Sequence, residues 1–124
     1  MSFSNYKDLT VWQKSIDLTE EIYRLVKKLP KEETYALSDQ MRRSAVSIPS
    51  NIAEGQGRES KNEFRTFLSI AKGSISELET QLLICVRLGY LSDDDIKSAT
   101  SLANEIERML TALIIRLKDL KLKT

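Results

Sequence analysis

Apolar residues recur along this chain in steps of three and four, the spacing that lines one face of an α-helix. The pattern falls into four stretches separated by Leu29-Pro30-Lys31, by Gly57-Arg58-Glu59-Ser60 and by Leu88-Gly89-Tyr90-Leu91-Ser92. The first stretch predicts a helix from about Leu9 to Lys28, with Trp12, Ile16, Ile22, Tyr23 and Val26 turned inward. Pro30 stops it by disfavouring helical geometry at Leu29, and Lys27 and Lys28 suit the negative end of the helix dipole. The second stretch predicts a helix from about Leu37 to Gln56, carrying Leu37, Met41, Ala45, Ile48 and Ile52 inward and Pro49 in its middle. Proline removes one backbone hydrogen bond, so the helix is expected to bend near Ala45 or Val46. A loop at Pro49 is the alternative; the bent helix is favoured because the apolar spacing stays in phase on both sides.

The third stretch opens with Ser60 as N-cap and Glu63 three residues on, a capping box. Phe64, Leu68, Ala71, Ile75, Leu78, Leu82 and Cys85 follow as its apolar seam. The fourth opens at Ser92, with Asp93, Asp94 and Asp95 where acidic side chains meet the positive end of a helix. Its seam is Ile96, Ala99, Ala103, Ile106, Leu110, Leu113, Leu117 and Leu120, an unbroken heptad. Such spacing suits helices crossing at roughly +20°, so an all-α four-helix bundle is expected.

Some apolar side chains do not fit a single bundle. At ~100° per residue, Ile115 and Leu122 project opposite the fourth seam, and Ile70 and Ile84 project opposite the third. A second apolar face on two long helices points to contact with another subunit. Gly73 lies on the same back face. A mid-helix glycine costs ~1 kcal/mol against alanine, which reads either as close backbone approach or as plain tolerance of a weak residue. A polar stripe, Gln40, Arg43, Ser47, Asn51, Glu54 and Arg58, runs beside the apolar face of the second helix, with a lesser counterpart in Ser74, Glu77 and Gln81. It is either a solvated flank, which spacing alone favours, or a hydrogen-bonded network between helices or subunits.

Composition sharpens this picture. The 124 residues suffice for one domain spanning 1–124 and not for two. Four glycines and two prolines are too few for the turns of an all-β chain. No apolar run approaches the ~20 residues of a membrane helix, and the opening residues hold no secretory apolar region, so the cytoplasm is the expected compartment. With 19 Lys and Arg against 18 Asp and Glu, no global basic field exists, and any nucleic-acid role must come from local clusters.

There is no histidine, which excludes His-based acid/base chemistry, Ser-His and Cys-His pairs and the Glu-x-x-His ligands of di-iron bundles. Cys85 continues an apolar seam and reads as a small buried hydrophobe. The run Gly55-Gln56-Gly57-Arg58 lacks the spacing and the lysine of a phosphate-binding loop and reads as a helix end with a glycine stop. Glu77 with Glu79, and Asp93 to Asp95, are explained by solvation and capping. No enzymatic activity, metal or cofactor is expected.

The stretch from Gln40 through Met41-Arg42-Arg43-Ser44-Ala45-Val46-Ser47-Ile48-Pro49-Ser50-Asn51-Ile52-Ala53-Glu54 to Gly55-Gln56-Gly57-Arg58 closely resembles the central motif of the four-helix bundle proteins encoded in 23S rRNA intervening sequences. The likeness extends to Asp8-Leu9-Thr10-Val11-Trp12-Gln13-Lys14, to Phe67 through Ser74 with Glu77 through Gln81, and to Leu88-Gly89-Tyr90-Leu91. What this resemblance implies is an antiparallel, left-handed up-down-up-down bundle assembling as a homopentamer, with a role in binding RNA. It also shifts the polar stripe toward a structural network of Gln40, Ser47, Asn51, Glu54, Ser74, Glu77 and Gln81. The leading expectation is then a non-catalytic oligomer that binds structured, ribosomal RNA through Arg42, Arg43, Arg58, Lys61 and Arg65. A second candidate cluster is Arg116, Lys118, Lys121 and Lys123. Ile70, Gly73, Ile84, Ile115 and Leu122 are the candidate subunit contacts. The alternative is an adaptor oligomer whose partner is another protein.

Overall fold

The computed structural model describes residues 5–122, with side chains through residue 119. The expectations for the side chains of Leu120, Lys121 and Leu122, and for Lys123, lie outside the described residues. A short 3-10 turn at Tyr6–Asp8 leads into α1 (Thr10–Val26); a second turn at Lys31–Glu33 precedes α2 (Leu37–Gln56), followed by α3 (Lys61–Arg87) and α4 (Asp93–Leu122). No strand occurs among the described residues. The chain is all-α and forms a four-helix bundle.

Each helix packs on its neighbours in sequence and α1 closes the ring against α4, while the backbones of the diagonal pairs stay further apart among the described residues. The register of α2 on α3 descends from Met41 against Cys85, through Ser44 against Glu77 and Ser47 against Ser74, to Gly55 against Phe67. Lys14 pairs with Glu105 at 3.2 Å and Lys28 with Asp95 at 2.8 Å, so α1 and α4 also run in opposite directions. These registers are compatible with the expected up-down-up-down order.

The seam of α3 is buried throughout, as the spacing predicts, and that of α4 is buried from Ala99 to Leu117, with Ile96 half-buried at its start. The first helix departs from expectation. It ends at Val26, and its inward face is Val11, Ser15, Leu18, Ile22, Leu25 and Val26. Trp12 is only partly buried, packing on the core and meeting Tyr6 edge-on at 5.3 Å, and Ile16 is half-buried. Tyr23 is turned out, 43% exposed. The heptad Val11-Leu18-Leu25 with Ser15-Ile22 centres the buried face, and Tyr23 stands one residue, ~100°, past it.

The second helix is continuous through Pro49. Proline has no N–H to offer the carbonyl of Ala45, one turn back, and Ala45 is fully buried. The Thr19 hydroxyl of α1 lies 3.2 Å from that carbonyl oxygen, and 2.8 Å from the carbonyl of Ser15 in its own helix. A side chain from the neighbouring helix thus reaches the acceptor that proline leaves open, sharing its one hydroxyl proton between that oxygen and the Ser15 carbonyl.

The glycines differ from their sequence reading. Gly57 caps α2 in right-handed geometry (φ −78°), so no left-handed stop occurs there. Gly55, inside α2, is the point of close approach: a Cβ on it would stand 2.7 Å from Phe67 Cβ and 3.0 Å from Phe64 Cδ1. The left-handed glycine is Gly89 (φ 80°), where Tyr90 N–H bonds to Cys85 O at 2.9 Å and Gly89 N–H to Val86 O at 3.0 Å, closing α3 in a Schellman motif. Ser60 caps α3 by accepting from Glu63 N–H. At α4 the capping is reciprocal: Asp95 N–H donates to Ser92 Oγ at 3.1 Å, and Ser92 N–H to the Asp95 carboxylate at 2.9 Å. Glu33 joins two connections, accepting from Tyr90 OH at 2.9 Å and from Leu37 N–H at 3.3 Å; that bond raises the Tyr90 pKa above its ordinary value.

Candidate nucleic-acid interface

The five candidate cations do not form one group. Arg43 and Arg58 are fifteen positions apart on and just past α2, which at 1.5 Å per residue separates them by roughly 22 Å. Arg42 and Arg43 stand near the start of α2. Arg42 donates to the Thr34 carbonyl at 3.0 Å and lies 3.8 Å from Asp39; Arg43 pairs with the same Asp39 at 2.9 Å. Arg43 is therefore committed neither to Glu54 nor to a neighbouring helix.

Arg58, Lys61 and Arg65 occupy the opposite end, at the α2–α3 turn. Arg58 pairs with Glu54 at 2.6 Å and lies over the Phe67 ring, 4.9 Å from its centre. Lys61 is exposed at the first position of α3 and pairs with no described residue. Arg65 is half-buried; its Nη2 donates to Asn62, while its buried Nε has no partner among the described atoms. Because α3 and α4 run in opposite directions, with Lys72 near Glu107 at 3.8 Å, the C-terminal turns of α4 reach this same end. Arg116 there borders a groove with Leu9, Thr10 and Val11, and Lys118 is exposed. Arg116 and Lys118, distant in sequence from Arg58, Lys61 and Arg65, thus share one end of the bundle with them.

The polar stripe divides. Ser47 and Ser74 hydroxyls meet at 2.8 Å; the Asn51 amide donates to the Ser47 carbonyl at 2.8 Å and to the Ser47 hydroxyl at 2.9 Å. Ser74 also reaches the Ile70 carbonyl at 3.3 Å. Glu77, though exposed, accepts from buried Ser44 at 3.1 Å. Gln81 is buried with its Oε1 unpartnered. Gln40 and Glu54, expected in this network, stand outside it within the single chain: both are exposed, and Glu54 is bound to Arg58. The stripe is ~80° wide, and only its inner edge reaches α3.

Among the subunit-contact candidates, Ile70, Ile84 and Ile115 are exposed at 46%, 40% and 54%, and a Cβ on Gly73 would meet nothing within 4 Å. Cys85 is fully buried against Met41 Sδ at 3.5 Å, and burial raises its pKa to about 11, far from a nucleophile's range. Among the described residues no group of three carboxylate or thiol side chains could hold a metal ion. No helix there is long and apolar enough to cross a membrane.

Sequence reasoning missed three side chains. Ser44 was legible, standing three positions before Ser47 on the same flank. Asp39 was legible too, at the i,i+3 and i,i+4 spacings that place a carboxylate beside Arg42 and Arg43. Thr19 carried no signal, since nothing in sequence says which hydroxyl of another helix will face Ala45.

The family model described as 23S rRNA-intervening sequence protein matches residues 7–112. The chain belongs to this family. A solved structure, described as a protein with unknown function from the S23 ribosomal protein family from Bacteroides thetaiotaomicron VPI-5482, is similar at 27% identity with a TM-score of 0.76. The alignment covers 85% of this chain and 98% of that one. No curated protein compared with the chain matches it. The segment shared with the 23S rRNA-intervening sequence family contains the whole motif from Gln40 to Arg58 and the Ser47–Asn51–Ser74 network. Ile115, Arg116 and Lys118 fall beyond it.

Proposed function

We propose that this chain is a non-catalytic homo-oligomer, most simply a pentamer, whose assembled form binds structured ribosomal RNA at the end of the bundle formed by the α2–α3 turn and the last turns of α4. The observation that carries the reading is the convergence of Arg58, Lys61 and Arg65 with Arg116 and Lys118 at that end. The α3 N-terminus adds its partial positive charge there. One subunit offers few phosphate contacts, but an oligomer repeats them on one rigid body, and linked weak sites gain avidity. The family takes its name from the 23S rRNA intervening sequence, which makes ribosomal RNA the first partner to test. Assembly is supported by the exposed Ile70, Ile84 and Ile115 and by the open back of Gly73.

Two measurements test the proposal. Light scattering on the purified chain should return a multiple of 14.2 kDa; a stable single-chain species at micromolar concentration would refute assembly. Filter binding to a ribosomal RNA fragment should weaken as salt rises, each phosphate contact adding ~0.7 to 0.9 to the slope of log affinity against log salt. Lys61→Gln, in every subunit, should flatten that slope. Absence of binding even at low salt favours a protein partner, for which the exposed Leu83 and Leu88 offer apolar surface.

A further inference from the structure

At the other end of the molecule, α1 and α2 enclose an open groove of about 490 Å³ lined by Tyr23, Asp39, Arg42, Arg43, Val46 and Ser47. Tyr23 and Val46 present 43% and 40% of their surface to solvent although both neighbour buried core positions. Arg43 has 78% of its side chain exposed, yet Asp39 fixes its direction at 2.9 Å. Arg42 is braced by the Thr34 carbonyl. Two guanidinium groups against Asp39, the one carboxylate among the lining residues, give the lining a net positive charge beside the aromatic and aliphatic surface of Tyr23 and Val46.

We infer that this groove is a subsite for an unpaired nucleotide of RNA, its base stacked on Tyr23 and its phosphate held by Arg43 with Arg42. The inference rests on the RNA-binding reading above and adds the kind of RNA segment taken at this place. An aromatic ring beside arginines is the chemistry by which single-stranded bases are bound: stacking tolerates any base, and guanidinium matches phosphate. A duplex hides its base faces and cannot use Tyr23. The groove is open and shallow, which suits a base laid on a ring and not an enclosed small molecule. Repeated around an oligomer, such subsites would hold a single-stranded loop at points roughly 22 Å along the bundle from the Lys61 end.

The test uses the full chain and two fluorescent probes, an oligouridine single strand and a blunt RNA duplex, read by anisotropy at low salt. Tyr23→Ala should weaken oligouridine binding by roughly 5- to 160-fold and leave duplex binding unchanged, while Tyr23→Phe keeps the affinity. Arg43→Gln should weaken oligouridine binding and lower its salt slope by ~0.7. If the duplex binds but Tyr23→Ala leaves oligouridine affinity unchanged, the subsite is refuted and RNA binding at the other end stands. If neither probe binds, both readings fall. Light scattering on Tyr23→Ala completes the test: a changed oligomer mass would make the groove a subunit contact and overturn the inference.

Discussion

Replacing Thr19 by valine keeps the shape of the side chain and removes its hydroxyl. That deletion leaves the Ala45 carbonyl, fully buried and denied its helical partner by Pro49, without the donor that stands 3.2 Å away. The Ser15 carbonyl suffers less, because it retains its place in the α1 ladder. An orphaned buried carbonyl costs ~1 to 3 kcal/mol and a lost hydrogen bond at an open site ~0.5 to 1.5. Since Thr19 is only half-buried, ~1 to 2 kcal/mol of destabilisation is expected. The decisive comparison is the double-mutant cycle with Pro49→Ala. Alanine at position 49 regains an N–H for the Ala45 carbonyl, so Thr19→Val in that background should cost ~0.5 kcal/mol or less. A coupling of ~1 kcal/mol results. The effect of Pro49→Ala alone mixes relief of helix strain with loss of a buried ring, and the cycle cancels both. Urea denaturation at one fixed protein concentration measures it, so that any assembly contributes equally to all four proteins. Equal Thr19→Val costs in the two backgrounds, within ~0.3 kcal/mol, would refute the idea that Thr19 stands in for the missing amide.

Gly55→Ala forces a Cβ to 2.7 Å from Phe67 Cβ, so overpacking of ~1 to 3 kcal/mol should exceed the ~1 kcal/mol gained in helix propensity; a rise in melting temperature would contradict the close approach. Asn51→Ala should destabilise by ~1 to 2 kcal/mol because it strips donors from both the Ser47 carbonyl and hydroxyl. Glu54→Ala, which breaks only an exposed pair with Arg58, should stay under ~1 kcal/mol by the same denaturation assay. Lys28, and after it the Ser92 N–H, hold the Asp95 carboxyl down to about 2 from its ordinary 3.8. The resulting stabilisation is complete above the ordinary value and is lost as pH falls from there toward 2, so melting temperature should drop across that window and Asp95→Asn should blunt the drop.

The third and fourth seams and the bounds of α2 were legible because their apolar residues keep phase over many turns, across Pro49 included. Tyr23 was not, since α1 carries apolar residues on more than half its circumference and spacing alone does not choose which of Ile22 and Tyr23 is central. The polar stripe misled in a similar way: periodicity orders residues by angle, but whether Glu54 or Ser47 meets α3 depends on how near that helix lies. The cations were grouped by their nearness to one motif, whereas a helix of this length sends its two ends to opposite poles of the molecule. Convergence of Arg58 with Lys118 needed the antiparallel register, which no single segment contains.

The hydroxyl, amide and carboxylate groups at Ser44, Ser47, Asn51, Ser74 and Glu77 bear on uniqueness more than on strength. The seams of α2 and α3 are built from interchangeable aliphatic side chains, so sliding α3 by one heptad would still set methyl groups against methyl groups. That slide would carry Ser74 and Glu77 away from Ser47 and Ser44, setting Ser47 opposite Phe67 or Gln81 and Ser44 opposite Ile70 or Ile84. A helix pair that could dock in several offsets is thereby left with one.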